Sequence, residues 1–160
     1  MTNVSPPWKG TARVTPRAIH NPPRVLLADD DTEMRQLVTE ALQMDGCEVH
    51  QVADGRSLAA AITRQIVSGG QAFDLIITDN RMPVYTGLDV VEAFNEAQCP
   101  TPVIVMTAFG DDATRARTSS LGALLFDKPF EIDDLRTAVV NILHPAPPSS
   151  GTGLRSNRSG

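Results

Sequence analysis

Acidic side chains cluster in this chain where short apolar runs end. Val25-Leu26-Leu27-Ala28 leads into Asp29-Asp30-Asp31, and Leu75-Ile76-Ile77 leads through Thr78 into Asp79. Val103-Ile104-Val105-Met106 leads into Thr107-Ala108, and Leu124-Leu125-Phe126 leads through Asp127 into Lys128-Pro129-Phe130. Carboxylates brought into one crevice repel one another and take up protons unless a cation compensates them. A hard divalent ion with oxygen ligands does so, and Mg²⁺, which keeps waters and often shares a phosphate oxygen, fits best. Lys128 supplies a compact charge for one phosphoryl oxygen, and Thr107 can donate a hydrogen bond to another. Asp79 is the central carboxylate, and an aspartate can accept a phosphoryl group when metal and ammonium neutralise the transferring oxygens.

Such a set meets only if the apolar runs end at one edge of a single sheet. The runs are continuous rather than alternating, as expected of strands covered on both faces in a parallel sheet. Cys47–Val52 is more polar and reads as an edge strand. Between the strands, Met34, Leu37, Val38, Ala41 and Leu42 form one helical apolar stripe, and Ile132, Leu135, Val139, Ile142 and Leu143 form another. Residues 55–67 and 87–97 read as helices, whereas 111–121 has only Ala113, Ala116 and Leu121 to bury, which predicts a weakly anchored fourth helix. Five β-then-α units with right-handed crossovers give an α/β fold: a doubly wound five-stranded parallel sheet, flavodoxin-like, in order 2-1-3-4-5, with helices on both faces. Its site lies beyond the strands' C-terminal ends.

Composition agrees. Of 160 residues, 41% are hydrophobic and 21% charged, with net charge −5, the profile of a globular chain of one domain. Apolar stretches reach only about five residues, against the roughly 20 of a membrane span, and no basic-then-apolar signal pattern opens the chain. Residues 25–143 hold all 19 acids against 8 basic residues, which suits a cation site and disfavours a nucleic-acid surface on this domain. The first 23 residues contain five prolines, and the end reads PAPPSSGTGLRSNRSG. The organisation expected is a basic Pro-rich disordered tail over 1–23, a folded domain over 24–144 and a Pro/Ser/Gly tail over 145–160. Cys47 and Cys99 have no partner at metal-ligand spacing and read as buried or incidental thiols of a cytoplasmic protein. The triplets at Asn3 and Asn157 read as chance glycosylation matches.

With VLLADDD followed by Met34-Arg35, LIITDNRMP with Gly87, VIVMTA and DKPF all in order, the chain resembles the receiver domains of two-component response regulators over roughly 25–143. The ordered set is specific where any one motif would be weak. The resemblance implies Mg²⁺-dependent transfer of a phosphoryl group from a sensor histidine kinase or phosphotransfer protein to Asp79, and signalling to a downstream protein partner. It casts the chain as a phosphoacceptor that takes part in its own phosphoryl transfer and dephosphorylation, not as a conventional enzyme. It implies metal ligation by Asp29, Asp30, Asp79 and the Arg81 backbone carbonyl, phosphoryl contacts from Thr107 and Lys128, and a signalling surface of the fourth helix, fifth strand and fifth helix, roughly 111–143. TAFGDDATRA and KPFEIDDL are most similar to receivers of the nitrogen-regulation type. Receivers usually carry an aromatic switch residue in the fifth strand, in concert with the threonine, where this chain has Leu125. Either Phe126 fills that role by a local shift or the role is absent. The residues that flank the path of a hydrolytic water in the family are here Arg81 and Phe109, neither able to orient water, so a long-lived phosphorylated state is expected.

Other residues have structural readings. Asp31 is expected to cap the first helix, Pro83 and Gly87 to form a turn and helix start, and Pro129 to fix a bend, by a cis bond in the family's manner. His20, His50 and His144 read as solvated. A haloacid-dehalogenase-type phosphatase uses similar residue types with the acid pair late in the chain, whereas here it comes first. A degenerate receiver acting as a binding module is the other alternative, and the intact Asp, Thr and Lys set counts against it.

Overall fold

The computed structural model describes residues 19–67, 73–96 and 101–145. Most of both expected tails, with Asn3, Asn157 and Cys99, lies outside these. Strands β1 (Arg24–Ala28), β2 (Glu48–Val52), β3 (Leu75–Asp79), β4 (Val103–Thr107) and β5 (Leu124–Asp127) alternate with helices α1 (Thr32–Met44), α2 (Gly55–Val67), α3 (Gly87–Glu96), α4 (Asp112–Ser120) and α5 (Ile132–Leu143). All pairings are parallel and the order is β2-β1-β3-β4-β5, as the alternation of runs and stripes predicts. β2 is the polar edge strand, half-buried at best.

Pleating divides the apolar residues between two layers. Val25, Leu27, Leu75, Ile77, Ile104 and Met106 meet α1 and α5 through Val38, Leu42, Leu135, Val139 and Leu143. Leu26, Ala28 and Ile76 meet α2 and α3 through Leu58, Ile62 and Val90. Val105 meets Leu88, Val91 and Leu121, with Leu125 packed against them.

Two helical faces differ from expectation. In α1 the buried residues are Val38, Thr39 and Leu42, and Leu37 is 48% exposed because the helix is rotated to bury Thr39 rather than Leu37. In α4, Ala113 and Ala116 are exposed and Thr118 is the one buried residue, followed by Leu121 just past the helix. Two methyl groups offer too little apolar area to set that helix's rotation, and its arginines set it instead. Arg117 Nε donates to Glu92 Oε1 at 2.8 Å and Nη2 to Asp89 Oδ1 at 3.1 Å, both on α3.

The segment before β1 is also packed. Ile19 lies against the α1–α5 core. His20 is only partly exposed and is tied down: its Nδ1 lies 3.0 Å and 3.1 Å from the carboxylate oxygens of fully buried Asp74. A buried carboxylate needs donors, and this one draws the end of the expected tail onto the sheet. His50 and His144 are exposed.

Candidate functional site

Because the strands run parallel, the residues that end β1, β3, β4 and β5 share one edge. Asp29 is fully buried, Asp79 nearly so and Asp30 exposed, and each offers a carboxylate oxygen within 4.8 Å of the others. Asp29 is held from three sides. Its Oδ1 accepts from Asp31 N–H at 2.9 Å, its own N–H donates to the Val52 carbonyl at 3.2 Å, and Arg35 Nη1 donates to its carbonyl at 2.7 Å. Asp31 caps α1, accepting from Glu33 and Met34 N–H at 3.0 Å and 3.2 Å, so its carboxylate is engaged outside the cluster.

Lys128 reaches in from the end of β5, its Nζ 3.1 Å from Asp29 Oδ2 and 3.3 Å from Asp79 Oδ1. Burial works against the ammonium, and the two carboxylates outweigh it, holding Lys128 above the ordinary lysine range. For Asp79, desolvation is the largest influence. Lys128 opposes it, the charges of Asp29 and Asp30 add to it, and the carboxyl is pushed up to about 6. One ammonium therefore leaves the three acids under-compensated. Oxygen-only donors of this kind, with one exposed member open to water, fit a hard divalent cation such as Mg²⁺.

Thr107 is buried at the end of β4, where its hydroxyl accepts from Phe109 N–H at 3.2 Å and its carbonyl accepts from Lys128 N–H at 2.7 Å. The peptide bond between Lys128 and Pro129 is cis. On the opposite rim the Arg81 guanidinium stacks on the exposed Phe109 ring, 4.5 Å from its centroid, joining the two loops that border the site.

The register separates the two fifth-strand candidates. Val105 pairs with Leu125, Met106 with Phe126 and Thr107 with Asp127. Alternation places Leu125 on the face of Thr107, against Leu88, Val91 and Leu121. Phe126 packs on the α1–α5 face, edge-on to Phe130 with ring centroids 5.5 Å apart. A shift that would bring its ring to Thr107 would have to cross the sheet.

Pro83 and Gly87 do form a turn and a helix start, in a tight setting. Tyr85 N–H donates to the Pro83 carbonyl at 3.0 Å around Val84, whose φ of 76° is unfavourable for a β-branched residue. A Cβ at Gly87 would run into the Asp79 carbonyl and the Thr78 hydroxyl, so the helix starts directly behind the cluster. Asn80, which sequence reasoning passed over, fixes that start: its carbonyl accepts from Gly87 N–H at 3.0 Å and its side-chain oxygen from Leu88 N–H at 3.2 Å. No local signal marks it, since Asn80 lies seven residues before α3; the residue directly ahead of the helix is Thr86, whose hydroxyl accepts from Asp89 N–H at 3.1 Å. Asp74 was passed over too, although an acid directly before a buried run must find partners.

Comparison with known proteins gives a consistent answer. The family model described as response regulator receiver domain matches residues 25–140. The chain is 30% identical over 121 residues to sporulation initiation phosphotransferase F of Bacillus subtilis, covering 75% of this chain and 93% of that protein. It is 36% identical over 116 residues to the DNA-binding transcriptional regulator NtrC of a Bradyrhizobium species, 72% of this chain and only 23% of that protein. It spans 59% of the transcriptional regulator FixJ of Bradyrhizobium diazoefficiens. Among solved structures, the chemotaxis response regulator CheY4 of Vibrio cholerae superposes with a TM-score of 0.64 at 32% identity, over 75% of this chain and 98% of that one.

Proposed function

The chain belongs to the response regulator receiver family, and from that premise we propose that Asp79 takes up a phosphoryl group from the phosphohistidine of a sensor kinase or phosphotransfer protein. The observation that carries this is the setting of Asp79: buried at the end of β3, 3.3 Å from Lys128 Nζ, with Asp29 and Asp30 beside it. A carboxylate oxygen of Asp79 attacks phosphorus, the P–N bond breaks, and its electron pair leaves with the imidazole, which is protonated. Asp29, Asp30, Asp79 and the Arg81 carbonyl would hold a Mg²⁺ ion, which when bound would neutralise charge on the transferring oxygens. Lys128 exchanges its contact with Asp79 for a phosphoryl oxygen. The Thr107 hydroxyl, now an acceptor for Phe109 N–H, donates to another. With its carboxyl at about 6, Asp79 is ionised and competent to attack at neutral pH.

The folded unit that does this is residues 24–144, read as a cytoplasmic signalling domain; among the described residues no helix is long and apolar enough to cross a membrane. The output surface is α4–β5–α5, read by a downstream protein and not by nucleic acid. DNA binding named for the NtrC relative belongs to a protein of which this chain spans less than a quarter. Leu125, on the face of Thr107, occupies the switch position, so α4 responds to an aliphatic side chain and not to the Phe126 ring. The Arg81–Phe109 stack roofs the approach of water and makes the phosphorylated state long-lived.

Incubation with acetyl phosphate tests the assignment: wild type gains acid-labile, Mg²⁺-dependent label and Asp79→Asn gains none. Full labelling of the variant refutes the acceptor assignment, and an unlabelled wild type favours the binding-module alternative. With beryllofluoride, amide shifts should concentrate over roughly 111–143; shifts confined to α1 and α2 would refute the switch surface. A dephosphorylation time course for Arg81→Asn with Phe109→Glu should run faster than wild type, and an unchanged rate would remove the roof from the account.

A further inference from the structure

We propose that Arg115 is a latch that holds the N-terminal turn of α4 against the site's own loops while Asp79 is unmodified, and that it is released when Thr107 turns toward a phosphoryl oxygen. The proposal rests on the phosphoacceptor reading and adds the means by which that event reaches the output helix. Apolar burial does not hold this end of α4, since Ala113 and Ala116 face solvent. Arg115 holds it. Its Nε donates to the Gly110 carbonyl at 3.1 Å and its Nη2 to Asp127 Oδ2 at 2.7 Å. These acceptors belong to the two segments that carry the site's hydroxyl and ammonium: Gly110 ends the turn begun at Thr107, and Asp127 directly precedes Lys128.

A guanidinium is a rigid planar fork, so two acceptors satisfy it only while they keep their spacing. That spacing depends on Thr107, whose hydroxyl accepts from Phe109 N–H and whose carbonyl accepts from Lys128 N–H. Drawing the hydroxyl into the crevice pulls Phe109 and Gly110 with it and moves one acceptor away from the other. The join is tight on its far side as well. A Cβ on Gly110 would fall on the Asp127 carboxylate and lie 3.1 Å from Arg115 Nη2. The other half of α4 is held independently, by Arg117 on α3 and by buried Thr118 and Leu121. Release of Arg115 therefore lets the helix pivot about its C-terminal half.

Beryllofluoride with Mg²⁺, titrated into the full chain and followed by amide shifts, tests this with three variants. Arg115→Ala removes the fork. Gly110→Ala displaces the Asp127 carboxylate without removing a charge. Arg117→Ala loosens the pivot end. The paired groups are about half exposed, and exposed pairs are weak, so Arg115→Ala and Gly110→Ala should each tighten beryllofluoride binding by about two- to fivefold. Their ligand-free spectra should move part-way toward the bound one over 107–117. Arg117→Ala should lower the midpoint of thermal unfolding and leave that affinity unchanged. Unchanged affinity in both latch variants overturns the latch alone, as does equal tightening by Arg117→Ala, which would mean unspecific loosening of α4. A wild type that binds no beryllofluoride overturns the phosphoacceptor reading and the latch together.

Discussion

Strand β3 has a buried aspartate at each end, and the two are treated oppositely. Asp74, just ahead of Leu75, is surrounded by donors. Arg24 N–H donates at 2.7 Å, His20 N–H at 3.3 Å, and His20 Nδ1 lies 3.0 Å from Oδ1. Asp79, five residues on, has Lys128 against it, two further carboxylates beside it, and a carboxyl pushed up to about 6, mainly by desolvation. A buried carboxylate whose lone pairs are filled by its own chain is complete and pins structure. One that lacks donors and faces like charges is costly alone, and a cation relieves that cost.

Neutralising the two should therefore have opposite signs. Asp74→Ala leaves the His20 side chain and the Arg24 N–H without their buried acceptor, and should lower stability by about 2–4 kcal/mol in urea unfolding. Asp79→Asn removes a charge the metal-free fold disfavours, and should raise stability at pH 7.5 by about 1–3 kcal/mol. If both variants destabilise alike, the contrast fails.

The pH dependence follows from the same contrast. Between 3.8 and about 6 the folded state keeps a proton on Asp79 that the unfolded chain has released. The metal-free protein should accordingly lose stability as pH rises from about 4 through about 6. Asp79→Asn should flatten that decline, and Mg²⁺ should restore stability on its upper side. A decline of equal slope in Asp79→Asn would place the responsible group elsewhere. His20→Ala, which leaves Asp74 its backbone donors, should cost about 1 kcal/mol. The smallest effect is expected of Asp30→Asn: an exposed carboxylate gains solvent screening, so stability should rise by no more than about 0.5 kcal/mol while Mg²⁺ affinity falls. Unchanged Mg²⁺ affinity would move the metal site away from Asp30.

Most of the fold was legible because its signals are local. Four apolar runs, one polar edge strand and two strong helical stripes declare their elements within a few residues each, and right-handed parallel crossovers leave few arrangements for them. The candidate site was legible for a related reason: in a parallel sheet, strand ends share an edge, so Asp29, Asp79, Thr107 and Lys128 could be placed together before any distance was known. Asp31 could be read as a cap because its partners lie two and three residues away. The faces of α4, the partner of His20 and the choice between Leu125 and Phe126 were not legible.

These depend on groups far apart in the chain. His20 and Asp74 are separated by 54 residues, and Arg117 and Glu92 by 25. Leu125 and Phe126 are adjacent apolar residues that only the pairing of β5 with β4 sends to opposite faces. Residue type and periodicity determined which elements form and which chemical groups stand at their ends, because both are short-range properties of the backbone and of side-chain polarity. Which buried aspartate is satisfied and which is left short of donors was decided by the tertiary structure, because that balance is set by charges and donors supplied from other strands and loops.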